Sequence, residues 1–117
     1  MYVEVDLDDK TRKLRYRYND VADVEEKAGL GIGAMFSEDR TGFHSIRLLI
    51  WGGLKWADRG LTVHRAGDLI QTYLDRGGEL NKLMEKVRQA LERGGIMKFV
   101  AADSEEGEEG NAEAETG

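Results

Sequence analysis

The fold is decided by residues 42–62, which read GFHSIRLLIWGGLKWADRGLT. Apolar side chains recur at helical spacing with few polar interruptions, and this pattern predicts a helix that is buried among other elements. Gly52 and Gly53 lie inside that helix, where each glycine costs roughly 1 kcal/mol relative to alanine. Their presence predicts a kink, or the close approach of another backbone, at this point. The residues predicted on the narrow core face are Phe43, Ile46, Ile50, Leu54 and Ala57.

The composition predicts one small domain with an acidic tail. The chain has 117 residues and no cysteine, which excludes disulfide bonds, thiolate metal sites and a cysteine nucleophile. Residues 103–117 carry seven acids and no base, whereas the remainder holds 17 bases and 16 acids. We expect a single globular domain over residues 1–102 and a disordered tail over residues 103–117. Without a basic patch or an apolar run of roughly 20 residues, we expect neither nucleic acid nor a membrane as a partner.

A β-hairpin is predicted over residues 2–18. Apolar and charged side chains alternate in residues 2–7 and in residues 12–18, and a turn-like sequence lies between them. An isolated hairpin is marginally stable, so its apolar face is expected to pack on helices. The predicted register combines apolar pairs on one face with opposite charges on the other, and it pairs Val3 with Tyr16, Glu4 with Arg15, Val5 with Leu14 and Asp6 with Lys13.

The rest of the domain is predicted to form four to five helices within residues 20–101. Asn19 or Asp20 is expected to cap the first helix, and Gly29 is expected to end it. A short helical turn is then expected to carry Ile32, Met35 and Phe36 into the core. The chain is therefore predicted to be α+β and mainly α, with the hairpin packed on a helix bundle.

Two more helices follow the central one in this prediction. Thr62 is the expected N-cap of a helix over residues 63–76, and a regularly amphipathic helix is expected over residues 79–93. A glycine pair follows each of them and ends it. Residues 96–100 form a short apolar run whose state stays open between a strand, a last helical turn and a docking segment.

No combination of residues typical of catalysis or metal binding occurs in the sequence. His64 and Asp68 stand four residues apart on one predicted helix, but a metal site needs at least one more ligand and no second cluster is visible. The serines lack the Gly-x-Ser-x-Gly context of an activated nucleophile. We therefore expect a protein without enzymatic activity, metal or cofactor.

The candidate partner-binding residues are Leu48, Trp51 and Trp56. All three lie off the narrow face of the central helix, and tryptophan is among the residue types most enriched in energetic anchors of interfaces. Aromatic side chains of this size are also frequent in protein cores. For both tryptophans, a core role and an interface role stay open.

Three stretches carry a resemblance to a known family. They are residues 18–29 (YNDVADVEEKAG), residues 46–54 (IRLLIWGGL) and residues 66–70 (AGDLI), the last in a helix opened by Leu61 and Thr62. In this order, between the hairpin and the final amphipathic helix, they resemble the small tail assembly chaperones of long-tailed bacteriophages. The similarity is to the type found in gene transfer agents and related prophages, and it covers residues 3–91.

The resemblance implies a non-enzymatic function in the cytoplasm of a bacterial host. Proteins of this family bind the long, aggregation-prone tape measure protein during tail assembly and are absent from the finished particle. The implied partner is therefore the tape measure protein, with self-association or the tail tube protein as further contacts, and no cofactor is implied. The alternatives are a structural tail component that stays in the particle and, third, a small metal-binding or enzymatic domain.

Overall fold

A computed structural model of the chain describes residues 1–37 and 41–98. The structure is α+β and mainly α, with an N-terminal hairpin packed on helices, as the sequence predicts. The predicted acidic tail at residues 103–117 lies outside the described residues. In chain order, the elements are β1 (Val3–Asp6), β2 (Thr11–Leu14), α1 (Tyr18–Ala28), a 3₁₀ turn (Ala34–Phe36), α2 (Phe43–Leu54), α3 (Val63–Asp75) and α4 (Leu80–Arg93).

Helix α2 is the centre of the fold. It contacts α1, α3, α4 and β2, and Leu49 and Ile50 in its middle are fully buried. The predicted burial is wrong for two residues assigned to its core face. Phe43 is 82% exposed, and Ala57 is exposed beyond the end of the helix. The helical-wheel argument treats the whole helix as covered, whereas both of these residues lie at or past its ends.

The two glycines of α2 lie where neighbouring elements come closest. A Cβ atom on Gly52 would lie 2.2 Å from Cγ2 of Val24 in α1 and 3.7 Å from the Asp20 carbonyl oxygen. A Cβ atom on Gly53 would lie 2.7 Å from Cδ2 of Leu14 in β2. The two shortest distances are far below the optimum of about 3.5–4.0 Å between carbon atoms. Neighbouring elements thus do come close at both glycines, but the nearest atoms belong to side chains of α1 and β2 and not to another backbone.

The hairpin register differs from the predicted one by two residues, so all four predicted pairings are wrong. A shift of two keeps every side chain on its face of the sheet, and the alternating pattern therefore cannot distinguish the two registers. Opposite charges still meet across the outer face. The observed pairs are Val3 with Leu14, Glu4 with Lys13, Val5 with Arg12 and Asp6 with Thr11.

Polar contacts around the loop favour the observed register. The guanidinium group of Arg12 and the carboxylate of Asp8 form a salt bridge at 2.9 Å, with both side chains largely buried. This hydrogen bond lowers the pKa of Asp8. The hydroxyl of Thr11 donates to the Asp6 carboxylate at 2.8 Å. The alternating sequence pattern gives no information on these contacts, because they form within the loop and between the facing strand ends.

The C-terminal end of α2 closes the outer edge of β2. The backbone N–H of Arg15 donates to the carbonyl oxygen of Gly53 at 2.9 Å. Two residues before Arg15, the carbonyl oxygen of Lys13 accepts a hydrogen bond of 3.1 Å from the indole N–H of Trp56, which follows the end of α2. These two bonds satisfy backbone groups that an edge strand would otherwise leave open for another chain.

Tyr16 anchors the hairpin in the core. Its side chain is fully buried, and its hydroxyl donates to the carbonyl oxygen of Leu49 at 2.5 Å. Burial raises the pKa of the Tyr16 phenol. A buried hydroxyl without a partner would be destabilising, so this bond allows a polar aromatic residue to pack directly on α2.

Helix α1 begins at Tyr18, with Arg17 as its N-cap, so the prediction of Asn19 or Asp20 as the cap is wrong. Asp20 instead lies in the first turn, where its carboxylate accepts the backbone N–H of Arg17 at 3.0 Å. The same carboxylate forms a salt bridge with Lys55 at 2.8 Å. Burial by itself lowers the pKa of Lys55, but hydrogen bonds to Asp20 and Asp23 outweigh this effect, and the pKa is raised.

Other helix boundaries follow the sequence signals. Gly29 ends α1 in the left-handed conformation, at a φ of 70°. The hydroxyl of Thr62 accepts the backbone N–H of Arg65 at 3.1 Å, as expected of an N-cap. Helices α3 and α4 end within one residue of the predicted positions. These signals are local, which explains why they are read correctly without tertiary information.

The two short apolar segments also contribute to the core. In the 3₁₀ turn Met35 is fully buried, and Ile32 and Phe36 pack against the core, as predicted. Ile96 and Met97 are half-buried against the same core and have no regular secondary structure. The last two residues of the undecided stretch 96–100 lie outside the described residues.

Candidate functional site

An apolar groove opens between α2 and α3 and reaches the start of α4. Its volume is about 470 Å³. Helices α2 and α3 contribute apolar side chains on their facing sides. The hairpin and α1 contact the C-terminal half of α2, so they do not cover the groove at the N-terminal half. Its apolar lining comes from Phe43, Ile46, Ile70, Leu74 and Leu80, and its polar lining from His44, Arg47 and Gln71.

Phe43 is the main exposed apolar residue of this groove. At 82% it has the largest exposed fraction among the large apolar side chains of the described residues. Sequence reasoning missed it, because its position on the helical wheel suggested burial. The signal that could have identified it is its place as the first residue of the helix, directly after Gly42. A side chain there extends past the elements that cover the middle of the helix.

Arg47 brings a positive charge into the groove. Its Nη2 lies 2.8 Å from Nδ1 of His44, one turn earlier in α2. Its aliphatic stem lies close to α3 at Gly67, where a Cβ atom would be only 3.1 Å from the Arg47 Cδ. Gly67 therefore gives this side chain the space to lie between the two helices.

Leu48 does not reach the surface. Its side chain is 1% exposed and belongs to the core, so the expectation that it lies off the packed face is wrong. A face that seemed free on a single helix is covered, because helices pack on α2 from several sides. A partner cannot contact Leu48 in this structure.

Trp51 is half-buried and held by polar contacts. Its indole N–H donates to the carbonyl oxygen of Leu61 at 3.1 Å. The ammonium groups of Lys27 and Lys55 lie 5.3 and 5.5 Å from the ring centroid, within the range of cation–π attraction. Trp51 therefore connects α2 to the segment before α3, and its predicted role in partner binding stays a prediction.

Trp56 closes the edge of the hairpin. In addition to its hydrogen bond to the Lys13 carbonyl oxygen, its ring stacks with the guanidinium group of Arg15, whose central carbon lies 4.3 Å from the ring centroid. The residue thus has a structural role in this chain. Its partner-binding role likewise stays a prediction, at a place distinct from the α2–α3 groove.

The candidate metal pair does not extend to a full ligand set. His64 and Asp68 are both exposed on α3. Within residues 1–37 and 41–98, no group of three or more histidine, cysteine, aspartate or glutamate side chains could hold a metal ion. The exposed pair therefore carries no metal-site hypothesis further, whereas the lining of the groove is suited to apolar contact.

Two further observations bear on function. No helix in the part of the chain that the structure describes is both long and apolar enough to cross a membrane. Comparison of the chain with protein-family models, curated proteins and solved structures found no match. The functional proposal consequently depends on the groove itself and on the resemblance described above.

Proposed function

We propose that this chain is a non-enzymatic tail assembly chaperone, which holds an apolar helical segment of a tape measure protein in the groove between α2 and α3. The observation that carries the proposal is the exposed apolar groove with Phe43 at its end. Contiguous apolar surface on a soluble protein usually marks a site for a partner. The resemblance of residues 18–29, 46–54 and 66–70 to such chaperones supports the tape measure protein as the partner and the bacterial cytoplasm as the place.

A helix suits this groove better than an extended peptide. The walls are helices, whose backbone groups are bonded internally apart from those at their ends. An extended segment lying between them would bury its own N–H and C=O groups without partners, which is unfavourable. A helical segment satisfies its backbone within itself and can place an apolar stripe against the groove.

Co-expression with a tape measure fragment tests the proposal. The fragment should be soluble with the wild-type chain and largely insoluble with Phe43→Ala, because losing this contact should weaken binding by roughly 1–3 kcal/mol. Tyr18→Ala is a matched control: Tyr18 is 81% exposed, but it lies on α1, outside the groove. Both side chains are mostly exposed, so both variants should keep the wild-type melting temperature.

The outcome also separates the rival sites and functions. If Trp56→Ala releases the fragment while Phe43→Ala retains it, and both variants stay folded, the binding surface lies at the hairpin edge. If the wild-type chain never binds or solubilises the fragment, the chaperone proposal fails. A structural component that stays in the tail would then be the better hypothesis, and the chain should be detectable in purified particles.

A further inference from the structure

In the groove, the guanidinium group of Arg47 has a hydrogen-bond donor without a partner and no paired carboxylate among the described residues. Its Nε is buried and makes no hydrogen bond, and its Nη2 lies 2.8 Å from Nδ1 of His44. Within residues 1–37 and 41–98, no carboxylate forms a salt bridge with Arg47. By contrast, Arg12 is paired with Asp8.

Among residues 1–37 and 41–98, no negatively charged side chain lines the groove beside this guanidinium group. Among the described lining residues, Arg47 is the one that always carries a charge, and none is acidic. The N-terminus of α2, which has no side-chain cap, lies at the Phe43 end of the groove and adds partial positive charge there. The electrostatic environment of the groove therefore favours an anionic group next to apolar ones.

A purely apolar occupant would leave this charge in an unfavourable state. Covering the groove removes water from Arg47, and a buried cation without a counter-charge is strongly destabilising. A carboxylate on the occupant would instead form charge-assisted hydrogen bonds with the free N–H groups of the guanidinium. The same arrangement disfavours an occupant with a lysine or arginine at that position.

We infer that the groove selects an amphipathic helix whose apolar stripe includes one aspartate or glutamate, and that this carboxylate pairs with Arg47. The apolar side chains of the helix lie on Ile46, Ile70 and Leu74, and the carboxylate lies beside them, over Gly67. Arg47 is then the specificity-determining residue of the groove. This inference rests on the proposed function and adds to it the chemistry of the segment that is bound.

Peptides tiled along the tape measure protein test this pairing with the full-length chain. Peptides of about 20 residues form helices of about 30 Å, long enough to cross the groove. Binding is measured by fluorescence anisotropy, and the tightest peptide is then made with its acidic stripe residue changed to glutamine. We expect this change to weaken binding roughly 10- to 100-fold, the usual range for a hydrogen-bonded charge pair.

Variants of the chain complete the cycle. Arg47→Gln should weaken the acidic peptide by a similar factor and leave the glutamine peptide nearly unchanged, because the two changes remove the same interaction. Arg47→Glu should prefer a peptide with lysine at that position. Arg65→Gln is the control, since Arg65 is exposed on α3 and does not line the groove. Circular dichroism melting establishes that each variant is folded.

The possible failures are distinguishable. If peptides bind the wild-type chain but the glutamine and acidic forms bind equally well, the pairing with Arg47 is refuted and the proposed function stands. The same holds if Arg47→Gln weakens both peptide forms equally, because Arg47 would then act only through the shape of the groove. If no peptide binds the wild-type chain, the proposed function fails and this inference fails with it.

Discussion

Replacing Gly52 by alanine tests the packing at the centre of the fold. Alanine is favoured over glycine inside a helix by roughly 1 kcal/mol. The added Cβ would lie 2.2 Å from Cγ2 of Val24, however, and overpacking of this kind costs about 1–3 kcal/mol. Valine is stiff at χ1 and cannot easily turn away, so we place the overpacking near its upper limit. The net expectation is a loss of about 1–2 kcal/mol in the free energy of unfolding.

The same substitution should have the opposite sign once Val24 is shortened. In a Val24→Ala background, the clashing Cγ2 is gone and the nearest remaining atoms lie 3.7 Å from the new Cβ. Gly52→Ala should then stabilise by up to about 1 kcal/mol, through helix propensity. The double-mutant cycle should therefore give a coupling energy of about 2–3 kcal/mol. Val24→Ala alone should destabilise by about 2 kcal/mol, because Val24 is fully buried.

Urea unfolding followed by tryptophan fluorescence measures all four chains, with Trp51 and Trp56 as the reporters. Gly67→Ala is the matched control: it lies inside α3, and its closest neighbour is the flexible stem of Arg47 at 3.1 Å. This control should be neutral or stabilising by up to about 1 kcal/mol. Equal destabilisation by Gly52→Ala in both backgrounds would refute this packing, because α1 would then not cross α2 at this glycine.

Two further predictions concern the hairpin. The hydrogen bond from Arg12 lowers the pKa of Asp8, so this carboxylate stabilises the fold above the ordinary aspartate pKa of about 3.9, and the contribution is lost as the pH falls through the lowered value. Asp8→Asn should cost about 1–2 kcal/mol near pH 7 and clearly less near pH 2; equal losses in urea unfolding at both pH values would contradict this. Leu14→Asp should destabilise by about 3 kcal/mol or more, because it places an unpaired charge at a fully buried position. A change below about 1 kcal/mol in the same assay would show that this face of the hairpin is open to water.

The groove shows that a binding site can be missed in the sequence even when apolar residues that line it are recognised. Ile46 was predicted on the core face of its helix and is buried, and Ile70 on the facing side of α3 is buried as well. Their faces nevertheless meet at a groove, because α3 packs on α2 without filling the space up to Phe43 and Leu74. Periodicity reports which side of a helix is apolar, but it does not report where along that side the neighbouring element ends.

The sequence by itself determined the types of the elements and most of their ends. Helical and alternating periodicities, the Thr62 cap and the terminal glycines act within a few residues, so they can be read without knowledge of the rest of the chain. The glycine pair in α2 also indicated a close approach, because glycine inside a helix is unfavourable unless packing requires it.

Only the tertiary structure decided the hairpin register, the exposure of α2 and the groove. The register is ambiguous by two residues in any alternating pattern, and contacts at the loop favoured one solution. Leu48 became a core residue and Phe43 a surface residue because each depends on how far neighbouring elements extend along α2. The side chain of Arg47 lies against Gly67, a residue that is distant from it in sequence. Such contacts arise from the packing of whole elements, which local sequence rules do not encode.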